Sequence, residues 1–401
     1  SVKATPEIFI VVGEPSGDLH ASLLVEELQA RREVSISAVG GPRLKAVGAD
    51  IVVDAGDWGA IGVADVLRRV PAYYAAMRKI VRRLVARPSD LLLLVDFSAF
   101  NMRLLRRLGP ERRPRCLYFF PPASWRRKEG DWSSLARLTD CVATPFAWSE
   151  QILRKHGVNA HFVGHPVIDR VRPAEDVAEL RRELGVPEDV LCVGLLPGSR
   201  RVERRLLGPV MLQAAELLAD RYRSLHVLFS PPPTTAGGRD ERLNLQRLEG
   251  RLTVVEDSTK IMQAADFIIT AFGTATLEAA AALCPMISLY RGPPAMWLQW
   301  HLARPDTPYY AMPNIIANDL IVPELIQPRD TDAAGLVRAA APLIEDKAAR
   351  RRMIEALSTV RDALGPPGAL KRTAELVLAT MQPCEPGQVR APGDGQCSNS
   401  N

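Results

Sequence analysis

Short apolar runs alternate along the chain with longer segments whose apolar residues recur every three to four positions, the arrangement of parallel strands covered by helices. The runs that read as strands are 8–12, 34–39, 91–95, 116–120, 141–143 and 161–163, followed by a second series at 190–195, 225–229, 252–255, 267–270 and 286–289. A Pro-containing stretch from 164 to 173 separates the two series. The pattern therefore predicts an α/β protein with two doubly wound, Rossmann-like domains and a ligand cleft between them, rather than one barrel. Helical periodicity closes the chain at about 333–345, 347–364 and 366–381, and the Pro-, Gly-, Ser- and Asn-rich tail from 382 to 401 has no apolar period and predicts disorder.

Composition narrows the class. With 401 residues, 47% hydrophobic and 24% charged, the chain is long enough for two or three cores, which excludes disordered, collagen-like and small disulfide-stapled classes. The longest uncharged apolar runs, 267–277 and 292–303, fall short of the roughly 18 to 20 residues that span a bilayer. The polar segment 1–7 does not read as a secretory signal, and six scattered cysteines without a C-x-x-C pair suit free thiols of a reducing cytoplasm.

The net charge of +5 is unevenly spread. Between positions 59 and 87, Arg68, Arg69, Arg78, Lys79, Arg82, Arg83 and Arg87 face the single acid Asp65. Arg103, Arg106, Arg107, Arg112, Arg113 and Arg115 form a second stripe against Glu111. Such stripes point to membrane phosphates, nucleic acid or a phosphorylated substrate, or form solvated helix faces. In 61–87, Val66, Val70, Tyr73, Tyr74, Met77, Ile80, Val81 and Leu84 interleave with the cations, as in a helix lying on an anionic membrane or one packed on a core.

Four strand-to-helix junctions carry the candidate chemistry. The first, with Gly13, Glu14, Ser16, Gly17, Asp18 and His20, is neither a dinucleotide nor a Walker fingerprint. Its acids would repel a phosphate, so Glu14 and Asp18 suit sugar hydroxyls or a base; a helix cap by Ser16 or Asp18 is the alternative. The second delivers Asp96 to the carboxyl end of an apolar strand, where open α/β sheets bind ligands. Asp96 is the leading general-base candidate; capping the helix near Asn101 is its alternative. At the third, Gly198, Ser199 and Arg200 make an anion site without a Walker lysine. At the fourth, Gly273 and Thr274 open a helix with Glu278 one turn inside, where a carboxylate could accept ribose hydroxyls beside a diphosphate. Asp330 and Asp332 form a D-x-D at a helix start, which predicts an N-cap and no metal.

These junctions, together with Gly40-Gly41-Pro42-Arg43, Gly164-His165-Pro166, Cys284-Pro285-Met286 and Pro313-Asn314, resemble in order the lipid A disaccharide synthase family of glycosyltransferases, over nearly the whole chain to about Met381. The resemblance implies a two-domain GT-B fold, with acceptor and membrane contacts in 1–170, the nucleotide sugar in 171–364, a helix at 365–381 returning to the N-terminal domain and a tail at 382–401. It implies metal- and cofactor-free transfer of diacylglucosamine from UDP-2,3-diacylglucosamine to the 6-hydroxyl of 2,3-diacylglucosamine 1-phosphate, with inversion. Asp96 would act as base, with Glu14 and Asp18 beside it. Ser16, Gly17, His20 and Asn101, and Gly198, Ser199, Arg200, Gly273, Thr274, Glu278 and Asn314, would bind substrate. The implied location is the cytoplasmic face of the inner membrane, on an anionic surface, without nucleic acid and with room for a homodimer. Two departures touch the acceptor half: the family's second acid, three residues after Asp96, is Ala99, and its Trp-bearing segment reads Phe120-Pro121-Pro122-Ala123-Ser124-Trp125-Arg126. A different lipid acceptor, a UDP-sugar epimerase and an inactive nucleotide- or lipid-binding relative are the alternatives.

Overall fold

A computed structural model describes residues 5–56, 58, 63–127, 130–198, 201–231, 246–291, 307–326, 330–382, 388–390 and 397–399. The chain forms two compact units, Ser1–Asp169 with Leu364–Asn401, and Arg170–Ala363.

In the first unit, β1 (Glu7–Val11), β2 (Ser35–Gly40), β3 (Asp50–Asp54), β4 (Leu91–Val95), β5 (Arg115–Phe119), β6 (Cys141–Thr144) and β7 (Ala160–Phe162) form one sheet. Its order is β3-β2-β1-β4-β5-β6-β7, and every pair is parallel. β1 and β4 are continuous apolar runs because helices cover both faces. Phe9, Val11, Leu92 and Leu94 pack to one side with Ile80 and Leu84 of helix Val63–Ala86 and Leu104 of helix Ser98–Arg112. Ile8, Ile10, Leu91 and Leu93 pack to the other with Leu24 and Leu28 of helix Pro15–Gln29 and Ala374 and Val377 of helix Ala369–Met381.

That last helix is fastened by polar contacts as well. Asp169 accepts from the N–H groups of Gly368 and Leu370, and Arg372 donates to the carbonyls of Val163, Pro366 and Pro367.

In the second unit, β8 (Leu191–Leu196), β9 (Leu225–Phe229), β10 (Leu252–Val254), β11 (Phe267–Ala271), β12 (Met286–Leu289) and β13 (Glu324–Leu325) form a parallel sheet in the order β10-β9-β8-β11-β12-β13. Strand order thus reverses between β1 and β4 in one unit and between β8 and β11 in the other. In open α/β sheets the ligand crevice opens at such a reversal, beyond the carboxyl ends of the two strands.

The tail differs from its sequence expectation. Gln388–Arg390 and Cys397–Asn399 pair as antiparallel strands, separated in sequence by the turn-forming composition Pro392-Gly393-Asp394-Gly395.

Candidate active site

The reversal in the first unit brings together the residues that follow β1 and β4. Glu14 is the half-buried N-cap position of helix Pro15–Gln29, and Asp96 follows β4 directly. Asp96 and Phe97 both have left-handed backbones, with φ of 48° and 49°, a conformation that costs a non-glycine residue on the order of 1–3 kcal/mol. Three hydrogen bonds hold it. The Asp96 N–H donates to Phe119 O at 3.0 Å, and the Asp96 carbonyl accepts from Asn101 Nδ2 and from the Tyr118 hydroxyl, each at 2.8 Å. Burial, and next the neighbouring Glu14, push the Asp96 carboxyl up to about 6, although the Phe97 N–H opposes the shift. A carboxylate with that affinity for protons is ionised at neutral pH and basic enough to take one from a hydroxyl.

Other residues marked in the sequence serve the scaffold. Asp18 is buried, and its carboxylate accepts from the N–H groups of Gly41 at 2.8 Å, Arg43 at 2.9 Å and Leu44 at 3.4 Å. It therefore caps the short helix Pro42–Ala46 rather than its own, which removes the ground for a catalytic Asp18. A Cβ at Gly41 would come within 2.8 Å of that carboxylate, so the Gly-Gly-Pro-Arg motif and Asp18 form one structural unit.

Asn101 is fully buried, and its Nδ2 donates to the backbone carbonyl of Asp96, which holds the turn that carries this carboxylate. The His20 ring is buried and stacks on Phe120 at 5.1 Å, with His165 edge-on at 5.7 Å. Burial, and then His20, lower the His165 pKa well below the usual range. Its Nδ1 accepts from Val167 N, which leaves Nε2 to carry the proton of the neutral ring. Ser16 is half-buried and Gly17 buried in the first turns of helix Pro15–Gln29.

Beside Glu14 opens a cavity of about 730 Å³ that no motif marked. Trp58, Val70, Tyr73, Tyr74, Met77, Phe97, Ala99 and Phe100 line it, with Arg103, Arg106 and Arg107. Helix Val63–Ala86 supplies one wall, and its interleaved pattern resolves into two faces. Met77, Ile80 and Leu84 are core, whereas Val70 and Tyr74 are half exposed, at 50% and 54%. Of its cations, Arg78 and Arg82 are exposed, Lys79 donates to Val52 O, and Arg83 pairs with Glu7 at 2.5 Å. The Arg83 guanidinium also lies over the Phe9 ring, so Arg83 belongs to the scaffold. The side chains of Val66, Arg68 and Arg69 lie outside the described residues.

The reversal in the second unit lies between Gly198, after β8, and Gly273, after β11. Gly198 has φ 105°, and a Cβ there would meet the Glu203 carboxylate at 2.5 Å and Ala271 at 3.2 Å, so only glycine fits. Ser199 and Arg200 lie outside the described residues. Gly273 has φ 129°, and Thr274 opens helix Thr274–Ala281 as an exposed residue whose N–H belongs to the unsatisfied first turn. Glu278, one turn on and half-buried, pairs with Arg170 at 3.4 Å. Phe272 stacks on Tyr290 and Tyr310 at 6.2 and 6.0 Å beside this turn, a trio the sequence did not mark.

Asn314 does not face a ligand. Fully buried, it donates to Val322 O and to Glu324 Oε1, and its own oxygen accepts from Ile321 N and Val322 N, so its hydrogen-bonding groups are spent on the loop before β13. Asp332 accepts from Gly335 N and caps helix Ala333–Glu345. Among the described residues no His, Cys, Asp and Glu side chains cluster as a metal site, and no helix is long and apolar enough to cross a membrane.

Comparison with known proteins bears on nearly the whole chain. The profile of the lipid-A-disaccharide synthetase family matches residues 8–372. The lipid-A-disaccharide synthase of Geobacter metallireducens is 35% identical over 377 residues, covering 92% of this chain and 96% of that protein. That of Acidobacterium capsulatum is 34% identical over 398 residues, covering 95% and 98%. Solved structures share the fold. UDP-GlcNAc 2-epimerase from Neisseria meningitidis bound to UDP-GlcNAc has a TM-score of 0.59 at 12% identity over 93% of this chain and 99% of that one. A calicheamicin glycosyltransferase has a TM-score of 0.57 at 16% identity, over 94% and 98%. At such identities these two show the architecture alone, two parallel sheets with alternating helices in the GT-B manner.

Proposed function

The chain belongs to the lipid-A-disaccharide synthetase family, and from that membership and the two strand-order reversals we propose that the first unit presents the acceptor and its base while the second holds the donor nucleotide. The chain is a glycosyltransferase, and the transfer is that of the family: diacylglucosamine passes from its UDP derivative to the 6-hydroxyl of diacylglucosamine 1-phosphate. Asp96 takes the hydroxyl proton as the oxygen attacks the anomeric carbon. The bond from that carbon to the diphosphate breaks on the opposite side, and UDP leaves with inversion. Glu14 contributes by keeping Asp96 basic. In the second unit the first-turn N–H groups at Gly273 and Thr274 and the adjoining helix dipole stabilise the departing diphosphate, and Glu278 accepts the ribose hydroxyls. Arg200 would add its guanidinium to the diphosphate, by the family's pattern.

The observation that carries this reading is Asp96 itself: a carboxylate raised to about 6, fixed at a sheet reversal and followed by Phe97, which lines the cavity. Asp18 and Asn314 drop out of the machinery. Since acyl chains leave a bilayer at high cost, about 0.8 kcal/mol for each exposed CH₂, the enzyme works at the membrane surface, through exposed Val70, Tyr74, Arg78 and Arg82. The test is UDP release from UDP-diacylglucosamine with and without acylated glucosamine 1-phosphate, with the product weighed by mass spectrometry. Release that ignores the acceptor, or no disaccharide, overturns the reading.

A further inference from the structure

The cavity, which Glu14 also lines at one end of β1, has two chemically distinct walls. Trp58, Tyr73, Met77, Phe97 and Phe100 make it apolar within. Arg103, Arg106 and Arg107 stand along its other side, at spacings of three and four residues that put them on one face of helix Ser98–Arg112. All three are exposed, and among the described residues no carboxylate pairs with any of them.

The Arg107 guanidinium lies 5.5 Å from the centre of the Tyr74 ring, which ties this helix to helix Val63–Ala86 at the cavity's edge. Ala99 lines the cavity one turn before Arg103 and contributes no charge that would neutralise it. At about 730 Å³ the space lies within the roughly 300–1,000 Å³ of small-ligand pockets.

A ligand suited to both walls is part hydrocarbon and part anion. The geometry points to an acyl chain in the cavity with its phosphomonoester head on Arg103, Arg106 and Arg107. Resting on the acceptor role proposed for this unit, the ligand is the acylated sugar 1-phosphate, and the three arginines select the phosphorylated acceptor over its unphosphorylated counterpart. Guanidinium forks grip a phosphate through paired N–H donors. A free phosphate would leave the aromatic wall in water, and a neutral amphiphile would leave the cations without an anion. The chain-plus-phosphate ligand satisfies both walls.

The test titrates the whole protein calorimetrically with monododecyl phosphate below its micelle concentration, and separately with inorganic phosphate and dodecyl maltoside. The expected result is binding of dodecyl phosphate, with both other probes weaker by at least about tenfold, the effect of one charged hydrogen bond. Charge reversal of the triad, Arg103→Glu with Arg106→Glu and Arg107→Glu, should abolish the preference for dodecyl phosphate over the maltoside and leave UDP affinity unchanged. Ala99→Trp, at an exposed helix position, should weaken both alkyl probes by filling the cavity. Inorganic phosphate binding as tightly as dodecyl phosphate, or a triad variant that keeps the parent's preference, overturns the inference. The acceptor assay separates the two readings. If the triad variant transfers sugar with the parent's ratio of KM values for phosphorylated and unphosphorylated acceptor, the arginine assignment alone fails. If the parent transfers to neither acceptor, the proposed function fails and the dodecyl phosphate titration still decides the cavity.

Discussion

The side-chain amide of Asn101 donates to the backbone carbonyl of Asp96 at 2.8 Å, from within the helix that follows the left-handed pair Asp96 and Phe97. A strained turn persists only when its surroundings fix it, and here Asn101, Tyr118 and Phe119 do so. Asp96→Asn should cost about 10²–10⁴ in kcat, because the amide keeps the shape but takes no proton. Asn101→Ala should also slow turnover, by letting the turn relax, yet keep the acid limb of the pH profile that Asp96→Asn abolishes. Steady-state kinetics across pH decide it, and turnover within a factor of about two of the parent in Asp96→Asn would remove Asp96 from the mechanism.

The raised carboxyl of Asp96 sets the direction of two pH effects. The kcat/KM of the parent should fall below about pH 6 as Asp96 takes up its proton. Glu14→Gln removes the smaller cause of the shift, so the limb should move toward lower pH while burial holds it above the ordinary value of 3.8. For stability the sign is opposite to that of a paired carboxylate. The folded state binds the proton more tightly than the unfolded chain, so this group costs stability as pH rises from about 4 to about 6. Asp96→Asn should therefore be more stable than the parent at pH 8, on the order of 2 kcal/mol after allowance for partial exposure. Urea unfolding measures this, and an unchanged midpoint at pH 8 contradicts the assigned burial.

Asp18→Ala should destabilise the fold by about 2–3 kcal/mol, since it strands the N–H groups of Gly41 and Arg43 that the carboxylate now satisfies. Thermal or urea unfolding of the variant reads the effect. A variant as stable as the parent but without activity would return Asp18 to the chemistry.

Reversal of Arg78 and Arg82 to Glu should release the protein from anionic vesicles by at least about 30-fold at low salt, at about 1 kcal/mol for each basic residue. Arg83 stays unchanged in this variant because its pair with Glu7 belongs to the fold. Cosedimentation equal to the parent would show that this helix does not meet the membrane.

The central strands were legible because both faces of each are covered, which turns Leu91–Val95 and its neighbours into uninterrupted apolar runs. β3 escaped notice: an edge strand with acids at both ends, Asp50 and Asp54, has no such run. Two residues sufficed for β13, too few for any pattern. The position of Asp96 at the strand-order reversal could be read because a carboxylate just past a buried strand has few places to go. Asp18, Asn101 and Asn314 make hydrogen bonds to the backbone that their motifs did not announce, for a common reason: a polar residue in a glycine-rich or helix-start motif looks the same whether it meets a ligand or a backbone. The partners of Asp18 lie 23 to 26 positions away, and only the packed turn brings them together. The cavity, built from Trp58 and faces of two helices separated by a strand, has no contiguous signature.

The helix Ala369–Met381 has a consequence for how the molecule is made. Its Ala374 and Val377 complete the apolar layer over β1 and β4, yet the ribosome polymerises them only after the entire second unit. The first unit therefore emerges with an uncovered groove and stays unfinished while the second folds, a vectorial delay that invites chaperone capture or aggregation. A nascent fragment ending at Ala363 should bind a dye for exposed apolar surface, and a peptide spanning 364–382 added in trans should quench it. Equal dye binding by fragment and full chain would mean that the groove closes without its last helix.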